Sequence, residues 1–206
     1  MTKVVLATRN AHKVEELREI LADVSAELGL EIVGLDGFPD APEVVEDGVT
    51  FEQNAILKAA SAAHVTGLPA LADDSGLAVD VLGGAPGIFS ARWSGGGGDS
   101  ANLDLLLAQL AEVRDEHRAA AFVCAAALVL PDGRSAAELG RFPGTIARRP
   151  RGGNGFGYDP IFVPSDQAVG DERTLAEYEA DEKNQVSHRA LAFRALVPHL
   201  KEHLRP

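Results

Sequence analysis

Two adjacent carboxylates, Asp73 and Asp74, lie in the stretch Leu71 to Gly95, LADDSGLAVDVLGGAPGIFSARWSG, which is denser in chemically able groups than the rest of the chain. Neighbouring carboxylates repel unless a cation lies between them or one takes a proton. An oxygen-rich pair of this kind suits Mg²⁺, which keeps several waters and binds through one or two carboxylates together with substrate phosphates. Apolar Pro69–Ala72 precedes the pair and Ser75-Gly76 follows it. Both acids are therefore expected where a short strand ends and the backbone turns, the place where α/β proteins gather their sites. The same four residues, Asp-Asp-Ser-Gly, also read as a plain polar turn whose short side chains bond the backbone.

A second group is Thr8-Arg9-Asn10-Ala11-His12-Lys13, between an apolar run and a helix-periodic segment. Outward amides and the dipole at a helix N-terminus favour anions, and Thr8, Arg9, Asn10 and Lys13 add donors and charge, so the loop can cradle phosphate. It also reads as a capped helix with solvated basic residues. Neither a P-loop nor a G-x-G-x-x-G motif occurs. A third group follows the basic residues Arg148, Arg149 and Arg151: Gly152 to Gly157 holds four glycines in six residues, with Phe156, Tyr158 and Asp159 at its end. Aromatics flanked by glycine can stack on a planar base, or else fold inward as core. Lys183, Ser187, His188 and Arg189 cluster where a last helix begins.

These groups require elements to hold them. Strands are expected at Lys3–Ala7, Glu31–Leu35, Leu77–Leu82 and Ile161–Val163, with a hairpin of Ala119–Leu130 and Ser135–Arg141 about the turn Pro131-Asp132-Gly133-Arg134. Val14, Leu17, Leu21, Val24 and Leu28 mark one amphipathic helix. A capping-box spacing at Thr50-Phe51-Glu52-Gln53 opens another that ends at Gly67. Asp99 or Ser100 caps a third, with Leu103, Leu106, Leu107 and Leu110 as its apolar stripe, and Leu191, Leu196 and Leu200 belong to the last. Between them, Asp36–Val49 is an acidic loop containing Glu46.

With 206 residues and 46% hydrophobic content, the chain can bury one core or two small lobes sharing a sheet. A net charge of −12 argues against a nucleic-acid surface and against anionic lipid. The single cysteine, Cys124, lies in an apolar run, which excludes an internal disulfide framework and fits a reducing, cytoplasmic setting. No run approaches the length of a membrane span.

Taken in order, the motifs resemble the inosine triphosphate pyrophosphatase family, the XTP/dITP diphosphatases. The resemblance covers nearly the whole chain: Thr8 to Lys13; Thr50 to Ala55 with Lys58; Leu71 to Leu77 through Gly83-Gly84-Ala85-Pro86-Gly87 to Ser90-Ala91-Arg92; Phe156 to Pro160; and Lys183 with Ser187-His188-Arg189. It implies a single domain over residues 1–206 with an α/β, two-lobed fold: a long mixed β-sheet flanked by helices, with a substrate cleft between the lobes. It also implies a homodimer and Mg²⁺-dependent hydrolysis of ITP, dITP and XTP to monophosphate and pyrophosphate, with no nucleic-acid or membrane partner. By the resemblance Asp74 is general base and metal ligand, Glu46 and Asp73 support the metal, and Lys13 acts with them in catalysis. Thr8, Asn10 and Lys13 hold the triphosphate, with Arg9, Ala11 and His12 in the same loop, while Ser75, Phe156, Gly157, Tyr158, Asp159, Lys183, His188 and Arg189 hold the nucleotide. A nucleotide sensor without turnover is the rival from another class, and bare acids count against it, because carboxylates repel a polyanion unless they carry metal. A pyrophosphatase for modified pyrimidine or methylated nucleotides is the rival among enzymes.

Overall fold

The computed structural model describes residues 1–168, 170–179, 182 and 187–205. Six strands, β1 (Thr2–Leu6), β2 (Leu30–Val33), β3 (Ala70–Val79), β4 (Ala119–Val129), β5 (Ser135–Ile146) and β6 (Phe162–Pro164), form one mixed sheet in the order β2-β1-β3-β4-β5-β6. β1 runs parallel to both β2 and β3, and β5 pairs antiparallel with β6. Among the described residues the α-helices are α1 (Ala11–Ile20), α2 (Ala22–Leu28), α3 (Phe51–Thr66), α4 (Gly98–Gln109) and α5 (His188–His203). Among the described residues no helix is long and apolar enough to cross a membrane.

The chain divides into two compact units, and β3, β4 and β5 contribute residues to both. The first comprises Met1–Asp74, Cys124–Gly140 and Arg189–Pro206. Successive side chains of a strand point to opposite faces, and this unit's two apolar clusters follow that alternation. Val4 and Leu6 of β1, Leu71 of β3 and Cys124, Ala126 and Leu128 of β4 pack with Leu17 of α1 and Phe193, Leu196 and Leu200 of α5. Val5, Ala70, Ala72, Ala125, Ala127 and Val129 pack instead with Ala55, Ala59, Ala62 and Ala63 of α3. Cys124 is fully buried, as its apolar surroundings predict.

The second unit, Ser75–Val123 with Arg141–His188, closes around Leu77 and Val79 of β3, Leu103 and Leu106 of α4, Phe122 of β4 and Phe142, Ile161 and Phe162. The Phe122 and Phe162 rings lie 4.6 Å apart, tilted, within the range favoured by aromatic pairs.

Several sequence expectations change. The predicted first helix is two, broken at buried Leu21 while keeping one apolar stripe through Leu28. β3 does not end at the acid pair: it runs unbroken from Ala70 through Asp73, Asp74, Ser75 and Gly76 to Val79, and Asp80–Leu82 is a 3-10 turn. Neither Asp99 nor Ser100 caps α4, whose N-cap is Gly97. β4 is buried along both faces, whereas the end of β5 alternates, Gly140, Phe142, Gly144 and Ile146 facing inward.

Candidate active site

β3 places the two carboxylates on opposite faces of the sheet, because they are consecutive residues of one strand. Asp73 shares the face of Leu71, and its Oδ2 accepts from Arg189 Nε at 3.1 Å and lies 3.5 Å from Lys13 Nζ. Arg189 is held in turn by Glu16, whose Oε2 accepts from Nη1 at 2.7 Å. Burial works to raise the Asp73 pKa, but Arg189, then Lys13 and Lys58, outweigh it and hold the carboxyl well below the ordinary carboxylate range. Asp73 thus has Arg189 and Lys13 as ion-pair partners on its own face, and Lys58 adds to them electrostatically.

Asp74 shares the face of Ala70 and Ala72, toward α3. Its Oδ2 accepts from Asn54 Nδ2 at 3.1 Å and its Oδ1 from Lys58 Nζ at 3.2 Å. Lys58 also reaches Glu46 Oε1 at 3.2 Å, so two carboxylates converge on one ammonium. Burial pushes the Asp74 pKa up and Glu46 adds to that, while Lys58 and Asn54 pull it back; the net shift is upward. For Lys58, burial favours the neutral amine, but Asp74 and Glu46 outweigh it and raise its pKa, so it stays charged.

Helix α3 and the loop before it set this geometry. Asn54 is buried, and its Oδ1 accepts from Gly48 N at 2.9 Å, tying the acidic loop to the helix two residues beyond Glu46. Thr50 caps the helix as predicted, accepting from Gln53 N at 3.2 Å. The reciprocal half of the capping box goes elsewhere, since Gln53 Oε1 accepts from Val49 N. Asn54 and Lys58, four apart, share a helix face.

The phosphate-cradle loop folds as a capped helix start. Thr8 Oγ1 accepts from Asn10 N, and Asn10 Oδ1 accepts from His12 N at 3.0 Å and from Lys13 N at 3.4 Å. Two of the outward amides are thus taken by Asn10. Arg9 donates to Ala41 O at 2.7 Å and so ties the loop to the acidic segment. A cavity of about 380 Å³ opens here, lined in part by Ala7, Thr8, Arg9, Glu46, Lys58 and Ser61.

Other expected residues lie in the second unit. The two aromatics divide: Phe156 is 74% exposed, whereas Tyr158 is buried and donates from its hydroxyl to Ser90 O at 2.9 Å. Burial, with a contribution from Asp99, pushes the Tyr158 pKa up to about 12. Tyr158 therefore cannot offer its ring as an exposed stacking face. The loop closes on itself through Asp159, whose Oδ2 accepts from Phe156 N at 2.8 Å, and is tethered to α4 by Gly157 N donating to Asp99 Oδ2 at 3.0 Å. Gly155 sits at φ +77°, and a Cβ there would lie 2.2 Å from Asp159 Oδ2, so a side chain would have to displace the carboxylate that closes the loop. The His188 ring stacks on Phe122 at 5.2 Å. Ser75 is half-buried in β3. Lys183 falls outside the described residues.

Asn54 and Lys58 belong to the motif Thr50 to Ala55 with Lys58 and Glu16 to no motif, and the sequence assigns none of the three a role in the site. Lys58 carried a signal, as the only Lys or Arg in α3. The oxygens of Glu46 and Asp74 suit a hard divalent cation, and their shared ammonium marks a point where positive charge is stabilised. Asp73, turned to the other face and ion-paired, is not aimed at that point.

A profile described as the Ham1 family matches residues 4–199. The chain is 60% identical over 203 residues to a protein of Streptomyces avermitilis named dITP/XTP pyrophosphatase, covering 98% of each chain. A protein of the same name from Corynebacterium efficiens is 52% identical, covering 97% of this chain and 98% of that one. Among solved structures, a nucleoside-triphosphatase, dITP/XTP pyrophosphatase from Mycobacterium abscessus superposes with TM-score 0.80 at 51% identity, covering 97% of this chain and 100% of that chain. A HAM1 protein from Coxiella burnetii superposes with TM-score 0.85 at 41% identity, covering 98% and 100%.

Proposed function

This chain belongs to the Ham1 family, and from that membership we propose that it is a Mg²⁺-dependent pyrophosphohydrolase converting dITP, XTP and ITP to the monophosphate and pyrophosphate. The names borne by its relatives support the substrate class. The observation that carries the reading is the convergence of Glu46 and Asp74 on Lys58, each at 3.2 Å, with Glu46 and Lys58 lining the cavity that also holds Thr8 and Arg9. Carboxylates turned toward a triphosphate would repel it unless a metal travels with the ligand.

In this reading Asp74 takes the proton from the water that attacks the α-phosphorus. Its raised pKa strengthens it as a base relative to an exposed aspartate, and Asn54 and Lys58 hold both its oxygens in place. Glu46 and Asp74 would hold Mg²⁺, which would supply charge stabilisation for the phosphoryl oxygens. Lys13 stabilises charge developing on the leaving pyrophosphate. Asp73 positions Lys13 and Arg189, a role its ion pairs support better than metal ligation does.

The test is steady-state hydrolysis of dITP, XTP, ITP, GTP and ATP with Mg²⁺, separating pyrophosphate from orthophosphate. Pyrophosphate from the first three, with GTP and ATP slower by orders of magnitude, is expected. Orthophosphate release, or tight binding without turnover, would sink the reading.

A further inference from the structure

Away from the candidate active site, the last turns of α5 gather two imidazoles and a carboxylate. His199, Glu202 and His203 each offer a ligand atom, and these atoms lie within 4.8 Å of one another. Their spacing explains the convergence: at 100° per residue, positions i, i+3 and i+4 fall on one strip of a helix. That strip runs beside the buried stripe of Leu196 and Leu200, which anchors the helix in the first unit's core. The backbone carrying the three ligands is therefore held firmly.

A second observation comes from another element. Glu138 of β5 places Oε1 3.0 Å from His199 Nε2. A carboxylate on one ring nitrogen fixes the ring and leaves the other nitrogen as a ligand atom, which is how metal-bound imidazoles are commonly oriented. Both side chains are partly exposed, 33% for His199 and 39% for Glu138, so an ion can reach them from solvent. Of the nearby cations, Lys201 pairs with Glu27 at 2.6 Å, while Arg134 pairs with Asp132 at 2.8 Å and also interacts with the Glu202 charge, which an ion bound at Glu202 would have to share.

The geometry points to a binding site for a borderline divalent cation of the Zn²⁺ class, formed by His199, Glu202 and His203 with Glu138 as the partner that orients His199. Two imidazoles with one carboxylate suit Zn²⁺, Co²⁺ or Ni²⁺ and not Mg²⁺, which prefers oxygen. Three protein ligands leave a coordination position for water. The ion would clip the last turn of α5, with Glu138 of β5 holding one of its ligands. This site shares no residue with the carboxylates proposed to hold Mg²⁺, and it stands whether or not that proposal does.

Calorimetric titration of the full chain with Zn²⁺, in saturating Mg²⁺, tests it. One equivalent is expected to bind to the native chain. His203→Ala and His199→Ala are each expected to weaken binding by more than tenfold, and Glu138→Gln by about tenfold. A Zn²⁺-dependent rise in Tm, present in the native chain and lost in His203→Ala, is the second expected readout. His203→Gln, which keeps most of the side-chain bulk, provides the same comparison if the alanine variant folds poorly. Zn²⁺ affinity unchanged in the His199→Ala, His203→Ala double variant would place the ion elsewhere and overturn the proposal. So would the absence of Zn²⁺ binding to the native chain.

Discussion

Asp74 and Asp73 are neighbours in sequence and opposites in environment, and the two predictions at residue scale follow from that. Asp74 is raised by burial and oriented by Asn54 and Lys58. Asp74→Asn keeps the shape and removes the base, so turnover is expected to fall by about 10²- to 10⁴-fold while Mg-nucleotide binding is largely retained. Loss of binding with a normal residual rate, measured by calorimetry beside kcat, would refute the assigned role. Asp73 is lowered by Arg189, Lys13 and Lys58 against the opposing effect of burial. A carboxyl whose folded pKa lies below its unfolded one releases its proton more readily when folded, so it contributes stability above the unfolded value. That contribution is lost as pH falls from about 4 toward the folded pKa. Urea midpoints between about pH 5 and 3 are expected to drop more steeply for the native chain than for Asp73→Asn. At neutral pH the variant leaves Arg189 with Glu16 as its remaining carboxylate partner, a loss of about 1–3 kcal/mol. Parallel pH profiles for the two proteins would show that the Asp73 ion pairs do not stabilise the fold.

At the scale of elements, helix α3 sets the positions of Lys58 and Asn54, and the loop before it sets that of Glu46. Gly48 is where loop and helix touch: a Cβ there would lie 2.6 Å from Asn54 Oδ1, 2.8 Å from Gln53 Cβ and 3.0 Å from Asn54 N. Gly48→Ala must push the loop off the helix, at about 1–3 kcal/mol, and Glu46 moves with it. Expected are a lower Tm and a higher Mg²⁺ concentration for half-maximal rate, the two effects appearing together. An unchanged Mg²⁺ requirement would mean that the loop does not set the carboxylate geometry. The break between α1 and α2 has a different logic. Leu21 stays buried through it, so the apolar stripe continues although the helix does not. Periodicity reports the buried face, and the face is unchanged by a local break in hydrogen bonding.

At the scale of the molecule, a chain of net charge −12 acts on a substrate that is itself an anion. Treatment with EDTA is expected to reduce turnover to background and added Mg²⁺ to restore it, with the far-UV circular dichroism unchanged throughout. The fold survives in this expectation because the cores of both units are apolar and close without an ion. Full activity in EDTA would overturn the metal requirement. Most strands and helices were legible in the sequence, since hydrophobic period, caps and glycine stops are local properties: Thr50 and Gly67 bound α3 as their residue types predict. The family resemblance was legible too, because its motifs are short and contiguous. Tertiary structure alone decided which groups meet. Glu16 and Arg189 are 173 residues apart in sequence yet form an ion pair. The pairing of Asp74 with Lys58, and of Asp73 with Arg189, depends on β3 running unbroken through the acid pair and turning the two carboxylates to opposite faces. Local sequence favours a turn at Asp-Asp-Ser-Gly; the sheet on either side, and cations brought from α1, α3 and α5, make an extended strand the lower-energy path.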